Sequence, residues 1–211
     1  QARVLRSFRH PNIVRILDSG VSQGVFFLSM EFLRGGSLDD LIHERGRVGE
    51  AAVLDIGIQL AEGLSAALEH GLLHRDIKPA NILFADPARV AFVDFGLGDQ
   101  PPGELWGTPD YISPEKLAEA PEDFRSDIYS LGSTLFHALA GHPPYNTADL
   151  PLATLRELKK NPVDLRGFAP GVREETMALV HRMMALDPAD RPAGYPGLIA
   201  QMRELLDSVR A

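Results

Sequence analysis

Cysteine is absent from the 211 residues. That excludes disulfides, thiolate metal sites and a cysteine nucleophile, and a reducing, cytoplasmic setting is the expectation. Basic charge is scarce as well. Twenty-one Lys and Arg against 29 Asp and Glu leave a net charge of −8, so no broad basic face for nucleic acid or an anionic membrane is expected. No uninterrupted apolar run approaches the roughly 18 residues of a membrane span. The opening residues QARVLRSFRH hold no apolar stretch of the signal-peptide kind. Internal repeats and low-complexity tracts are missing too, and between Asp94 and Gly107 there is no Ser, Thr or Tyr.

What remains is an ordinary globular composition, 45% hydrophobic and 24% charged. The length suits one sizeable domain, or two small lobes sharing a core, burying roughly 70% of the unfolded surface. Val4, Leu5 and Phe8 read as the end of a helix that Pro11 stops. Strands are predicted at 13–17 and 25–30, with Ser22-Gln23-Gly24 as the turn. Ser37 is a plausible N-cap for a short helix carrying Leu38, Leu41 and Ile42 and ended by Gly46. Val53, Ile56, Leu60, Leu64 and Leu68 step at helical spacing toward Gly71. Short strands follow at 82–84 and 90–93, then a Gly- and Pro-rich loop over 96–114 of the length that usually carries function. Ser126 is read as the cap of a buried helix running to about Ala140, with further helices near 152–160, 174–185 and 196–209. The fold class is α+β, with a little β-structure first and then a mostly helical body.

One stretch concentrates chemistry. His74-Arg75-Asp76-Ile77-Lys78-Pro79-Ala80-Asn81 is followed thirteen residues on by Asp94-Phe95-Gly96. Phosphoryl transfer from ATP needs a carboxylate to orient the attacking hydroxyl and take its proton. It needs oxygen ligands to hold magnesium against the phosphates, and a cation to offset developing charge. Asp76 is the candidate base, Lys78 the cation, and Asn81 and Asp94 the magnesium ligands.

These residues resemble the catalytic loop and magnesium-binding motif of eukaryotic-type serine/threonine protein kinases. Other segments resemble that family in the same order. Met30-Glu31-Phe32-Leu33 with Gly35-Gly36-Ser37-Leu38 is similar to its hinge, and Gly107-Thr108-Pro109-Asp110-Tyr111-Ile112-Ser113-Pro114-Glu115 to the end of its activation segment. Asp127-Ile128-Tyr129-Ser130-Leu131-Gly132 is similar to the start of its central helix, and Asp187-Pro188-Ala189-Asp190-Arg191-Pro192 to its late arginine motif. The resemblance implies a bilobal fold, with residues 1–33 the remnant of the β-containing N-lobe and 34–211 the helical C-lobe. It implies ATP and Mg2+ as cofactors and a protein Ser/Thr substrate. It also implies roles: Met30 as gatekeeper, the backbone of Glu31 and Leu33 holding adenine, and Leu83 packing below it. Glu115 would pair with Arg191, Asp127 would brace the catalytic loop, and Leu5, Ile16, His74 and Phe95 would stack as a spine. Thr108 would orient the catalytic loop. The Lys78 region and the Ser-Pro-Glu element resemble the serine/threonine branch, in a bacterial style.

Taken singly, several of these residues have simpler readings. Asp-Phe-Gly alone is a turn, His74 is a packed residue before it is a proton shuttle, and Asp127 and Arg191 read as structural. Met183-Met184 reads as helix core, Trp106 as a plug, and the acidic positions 119–123 as solvated surface. A non-catalytic pseudokinase is the alternative function. A small-molecule kinase would not explain 107–115 or Arg191. Two departures from the family stand out. Its glycine-rich loop and strand lysine have no counterpart, and Gln1 falls where the lysine's glutamate partner would be. The expectation is therefore a fragment of a longer reading frame, with a two-stranded remnant and little activity of its own. Arg75 would ordinarily anchor a phosphorylated residue of the activation loop. The composition of 94–107 offers none, so Asp99 or Glu104 is expected to stand in.

Overall fold

The first apolar segment splits between two partners. In the computed structural model, which describes residues 8–95, 108–145, 147, 150–161 and 163–211, Ile13 and Val14 leave the predicted strand and add to a later one. The Val14 N–H donates to the Phe92 carbonyl at 2.8 Å and the Phe92 N–H to the Asn12 carbonyl at 2.9 Å. Strand β1 therefore begins late, at Ile16–Ser22, and pairs antiparallel with β2, Val25–Met30. Gln23 and Gly24 both have positive φ, 52° and 79°, which suits a two-residue hairpin whose turn twist matches that of its strands. The predicted helix end at Val4–Phe8 falls largely outside the described residues, and Leu5 with it.

Helix α1, Leu38–Arg45, starts as the sequence suggests. The Ser37 hydroxyl accepts from the Asp40 N–H and the Asp40 carboxylate accepts from the Ser37 N–H, a reciprocal capping box. Helix α2, Glu50–Leu68, ends in a paired-hydrogen-bond stop. Gly71 has φ 69°, its N–H bonds to the Leu68 carbonyl and the Leu72 N–H bonds to the Ala67 carbonyl. By length and composition α2 could cross a membrane. Here it is the middle of the core, with Val53, Leu60, Ala61 and Leu64 buried, packed along the last helix and against a strand and the central helix.

Strands β3, Ile82–Asp86, and β4, Arg89–Phe92, form a second antiparallel pair. Residues 35–37 lie against β3: the Gly35 N–H donates to the Phe84 carbonyl and the Phe84 N–H to the Gly36 carbonyl. A Cβ on Gly35 would sit 2.5 Å from both the Phe84 Cβ and its carbonyl oxygen. Gly35→Ala is therefore expected to cost about 1–3 kcal/mol through overpacking, read as a lower denaturant midpoint at unchanged slope.

Helix α3 is a single turn, Pro114–Leu117, which takes in Pro114, the last residue of the predicted loop; positions 96–107 of that loop lie outside the described residues. Helix α4, Phe124–Ala140, is buried along nearly its whole length. Its cap is Asp123, whose carboxylate accepts from the Arg125 N–H at 2.7 Å, and not Ser126. Ser126 lies inside the first turn because its hydroxyl is drawn to Glu115, 2.6 Å away. Helices α5, Leu152–Leu158, α6, Glu174–Met183, and α7, Tyr195–Arg210, complete the body. One large core cluster runs through α2, α4, α6 and α7 and reaches both hairpins. A small satellite of Ile112, Leu117 and Leu155 seals the segment before α3 onto α5.

Candidate active site

The loop 74–81 leaves the end of α2 and is fixed from below by α4. Asp127, in the first turn of α4, accepts the backbone N–H of His74 and of Arg75, each at 2.8 Å. Arg75 has φ 69°, a left-handed backbone unusual for a residue with a Cβ, and such strain persists only where neighbours enforce it. Two do: the Asp127 carboxylate on its N–H, and the Lys116 ammonium on its carbonyl at 2.9 Å. His74 is buried, with ring centroids 4.6 Å from Phe92 and 4.8 Å from Phe95. Burial lowers its pKa to about 4, against the pull of the Asp76 carboxylate. It is therefore neutral, and Nδ1 accepts the Asp76 N–H at 3.3 Å. This is packing and backbone support, not proton shuttling.

Two side chains converge on the Asp76 carboxylate. The Asn81 Nδ2 donates to the Asp76 carbonyl and to its Oδ2, both at 2.9 Å. The Lys78 ammonium lies 2.9 Å from the same Oδ2 and donates to the Thr108 hydroxyl at 3.0 Å. Among the described residues, Oδ1 of Asp76 has no partner, so one carboxylate oxygen is anchored and the other is left for a hydroxyl. The one-turn helix Pro79–Asn81 brings Asn81 back toward Asp76, and the Val93 N–H bonds to the Asn81 carbonyl at 3.0 Å. That bond sets Asp94 one residue from the Asn81 backbone. Asp94 is exposed with φ 57°, while Phe95 beside it is buried. Gly96, Asp99, Glu104 and Trp106 lie outside the described residues.

Arg191 and Glu115 meet as expected, 76 residues apart in sequence. The guanidinium donates to both carboxylate oxygens, at 2.7 and 2.8 Å. It also donates to the carbonyls of Ala185, Arg125 and Leu186 and sits over the Tyr129 ring. Burial pushes the Glu115 carboxyl up, but the bonds from Arg191 and Ser126 outweigh it and leave the pKa below its ordinary value.

Residues 2–207 match the protein kinase domain family. The chain belongs to that family. It is 36% identical over 206 residues to the serine/threonine-protein kinase PknK of Mycobacterium tuberculosis, across 93% of this chain and 18% of that protein. It is 33% identical to PknL of the same organism, across 99% of this chain and 54% of that protein, and 35% identical to pkn2 of Myxococcus xanthus, across 91% and 25%. The chain thus spans between 18% and 54% of the length of these bacterial relatives.

Met30, Leu33 and Leu83 are half-buried and pack on the same core cluster. Glu31 commits its N–H to the Arg15 carbonyl at 3.0 Å and its carboxylate to the Arg15 N–H at 2.8 Å. Ile16 is buried. Sequence reasoning missed Lys116 and Lys159. The Lys159 ammonium is buried beneath the segment before α3, donates to the Asp110 carbonyl at 3.1 Å and lies 5.2 and 4.9 Å from the Tyr129 and Tyr145 ring centroids. It also read 119–123 as solvated throughout, yet Glu122 is half-buried, 3.8 Å from the Lys116 ammonium.

Asp127 gives the domain an acid limit. Burial raises its pKa to about 6; the two backbone N–H groups pull it down without cancelling that, and Glu122 adds to the rise. A folded-state pKa above the ordinary 3.8 means the native state takes the proton before the unfolded chain does, so protonating Asp127 does not itself drive acid unfolding. What is lost is an acceptor for one of the two loop N–H groups. Phosphoryl transfer is expected to fall as pH drops through about 6 while the far-UV signal stays native, and a rate flat down to pH 5 would contradict it.

Proposed function

We propose that this kinase domain transfers the γ-phosphoryl group of ATP to serine or threonine hydroxyls of a protein substrate. The observation that carries the reading is the anchored carboxylate of Asp76, held on one oxygen by Asn81 and Lys78 and open on the other. The substrate hydroxyl would donate to Oδ1. Its oxygen forms the new bond to the γ-phosphorus, the bond to the bridging β-oxygen breaks, ADP leaves and the hydroxyl proton passes to Asp76. Lys78, tied to Thr108 and Asp76, holds its charge where the transferring group's oxygens become electron-rich. Its tether to Thr108 couples the catalytic loop to the segment that would meet the substrate.

The donor set fits magnesium. With the Asn81 amide nitrogen turned to Asp76, its oxygen faces the other way. Among the described residues, the exposed Asp94 carboxylate has no hydrogen bond or ion pair. One carboxylate and one amide oxygen are what a magnesium ion asks of a protein when substrate phosphates and water complete its shell. When bound, the ion would offset phosphate charge. Adenine would pack between Met30, Leu33 and Leu83.

The test is transfer from γ-labelled ATP to a generic protein acceptor by the full chain, followed by phosphoamino-acid analysis. Label on serine or threonine that vanishes in Asp76→Asn is the expected result. Label that survives that substitution, or that appears on tyrosine alone, would overturn the assignment.

A further inference from the structure

The segment 108–117 is joined to the rest of the molecule through adjacent residues that face different ways. Glu115 reaches Arg191 in the body, and Lys116, its neighbour on α3, reaches the Arg75 carbonyl in the catalytic loop. The sequence holds four lysines against 17 arginines, and three of the four donate across this one junction: Lys78 to Thr108, Lys116 to Arg75 and Lys159 to Asp110. A lysine ammonium is a compact point donor suited to a single carbonyl or hydroxyl. No side chain between Asp94 and Gly107 can carry a phosphate ester, so a link to the catalytic loop from that stretch cannot be switched by phosphorylation.

We propose that Lys116 is a positioning residue for phosphoryl transfer, whose charge ties the segment 108–117 to the Arg75 carbonyl and holds the catalytic loop in its working geometry with no phosphate ester between Asp94 and Gly107. The inference rests on the kinase reading above and adds to it a built-in coupling. The tether acts where the strain is. Arg75 has φ 69°, and the Asp127 carboxylate and the Lys116 ammonium grip the two sides of that residue, one on the N–H and the other on the carbonyl. Release of either lets the backbone relax, and Asp76 is the next residue. Lys116 has a second effect through charge. Asp127 is faced by Glu122 and Lys116, by the loop at His74 and Arg75, and by Tyr195 at the start of α7. Of these, Lys116 favours the ionised carboxylate and Glu122 opposes it.

The experiment compares Lys116→Met with Lys116→Arg in the full chain. In Lys116→Met, amide exchange in peptides covering 72–81 is expected to speed up about tenfold, the scale of one charge-assisted hydrogen bond, while α4 peptides exchange as in the wild type. kcat should fall by a similar factor, with KM for ATP within about twofold, and the acid limb of the pH–rate profile should move to higher pH. Lys116→Arg, which keeps charge and donor, should restore all three. Unchanged exchange in 72–81, or equal acceleration in α4, would overturn the proposal, the latter by showing general destabilisation. If the wild type transfers no phosphate, the activity arm fails with the phosphoryl-transfer reading for this chain and not with Lys116, and the exchange measurement still decides whether Lys116 holds the loop.

Discussion

Asp76→Asn is expected to lower phosphoryl transfer by about 10²–10⁴-fold, the usual contribution of a positioned general base, with little change in thermal stability. The two halves of this expectation come from different atoms. Stability should persist because the carboxylate oxygen that Asn81 and Lys78 share can be replaced by an amide oxygen that accepts the same bonds. The Asn81 bond to the residue 76 carbonyl is untouched. Transfer should fail because an amide cannot take the proton that the substrate hydroxyl must lose. KM for ATP should barely move, since none of the groups proposed to contact the nucleotide is altered, so the loss belongs in kcat. Transfer within tenfold of the wild type would mean that the proton leaves by another route and that Asp76 only orients.

Much of this site could be read from the sequence because its parts are contiguous. Asp76, Lys78 and Asn81 fall within six residues, and a short helical turn suffices to fold Asn81 back onto Asp76. The Ser37 cap and the Gly71 stop were also legible, since each is decided by residues within one helical turn. What escaped was decided at a distance. Ile13 and Val14 read as part of the first strand, but Phe92, some 80 residues away, offers them a better backbone partner. Ser126 looks like a cap until Glu115 claims its hydroxyl, which leaves Asp123 to satisfy the helix start. Lys116 and Lys159 bond to backbone carbonyls. A carbonyl is present at every position, so no residue-type pattern marks the partner. The left-handed backbone of Arg75 was equally hidden, because nothing in its side chain asks for it and the bonds from Asp127 and Lys116 enforce it.

Arg191→Met should destabilise the domain by about 3–5 kcal/mol, the cost of stranding one partner of a buried ion pair. At about 2–4 °C per kcal/mol for a domain of this size, Tm should drop by roughly 6–20 °C. The guanidinium has no exposed surface and its partner carboxylate is 11% exposed. It serves five acceptor oxygens: both of Glu115 and the carbonyls of Ala185, Arg125 and Leu186. Methionine fills part of the space over the Tyr129 ring but satisfies none of them, and Ser126 alone is left on Glu115. The pH dependence separates stranded charge from lost packing. In the wild type the Glu115 pKa lies below its ordinary value, so the pair adds stability above the unfolded pKa and loses it as pH falls through the folded one. Without Arg191, burial is the dominant influence and Glu115 binds a proton at higher pH, which removes the stranded charge. The deficit of Arg191→Met should therefore be smaller at about pH 5 than at about pH 7, and Glu115→Gln combined with Arg191→Met should recover part of the stability at the higher pH. A deficit independent of pH, unrelieved by the double substitution, would assign the loss to packing and to the three carbonyls, and would reduce the ion pair to a minor partner in holding α3 against the body.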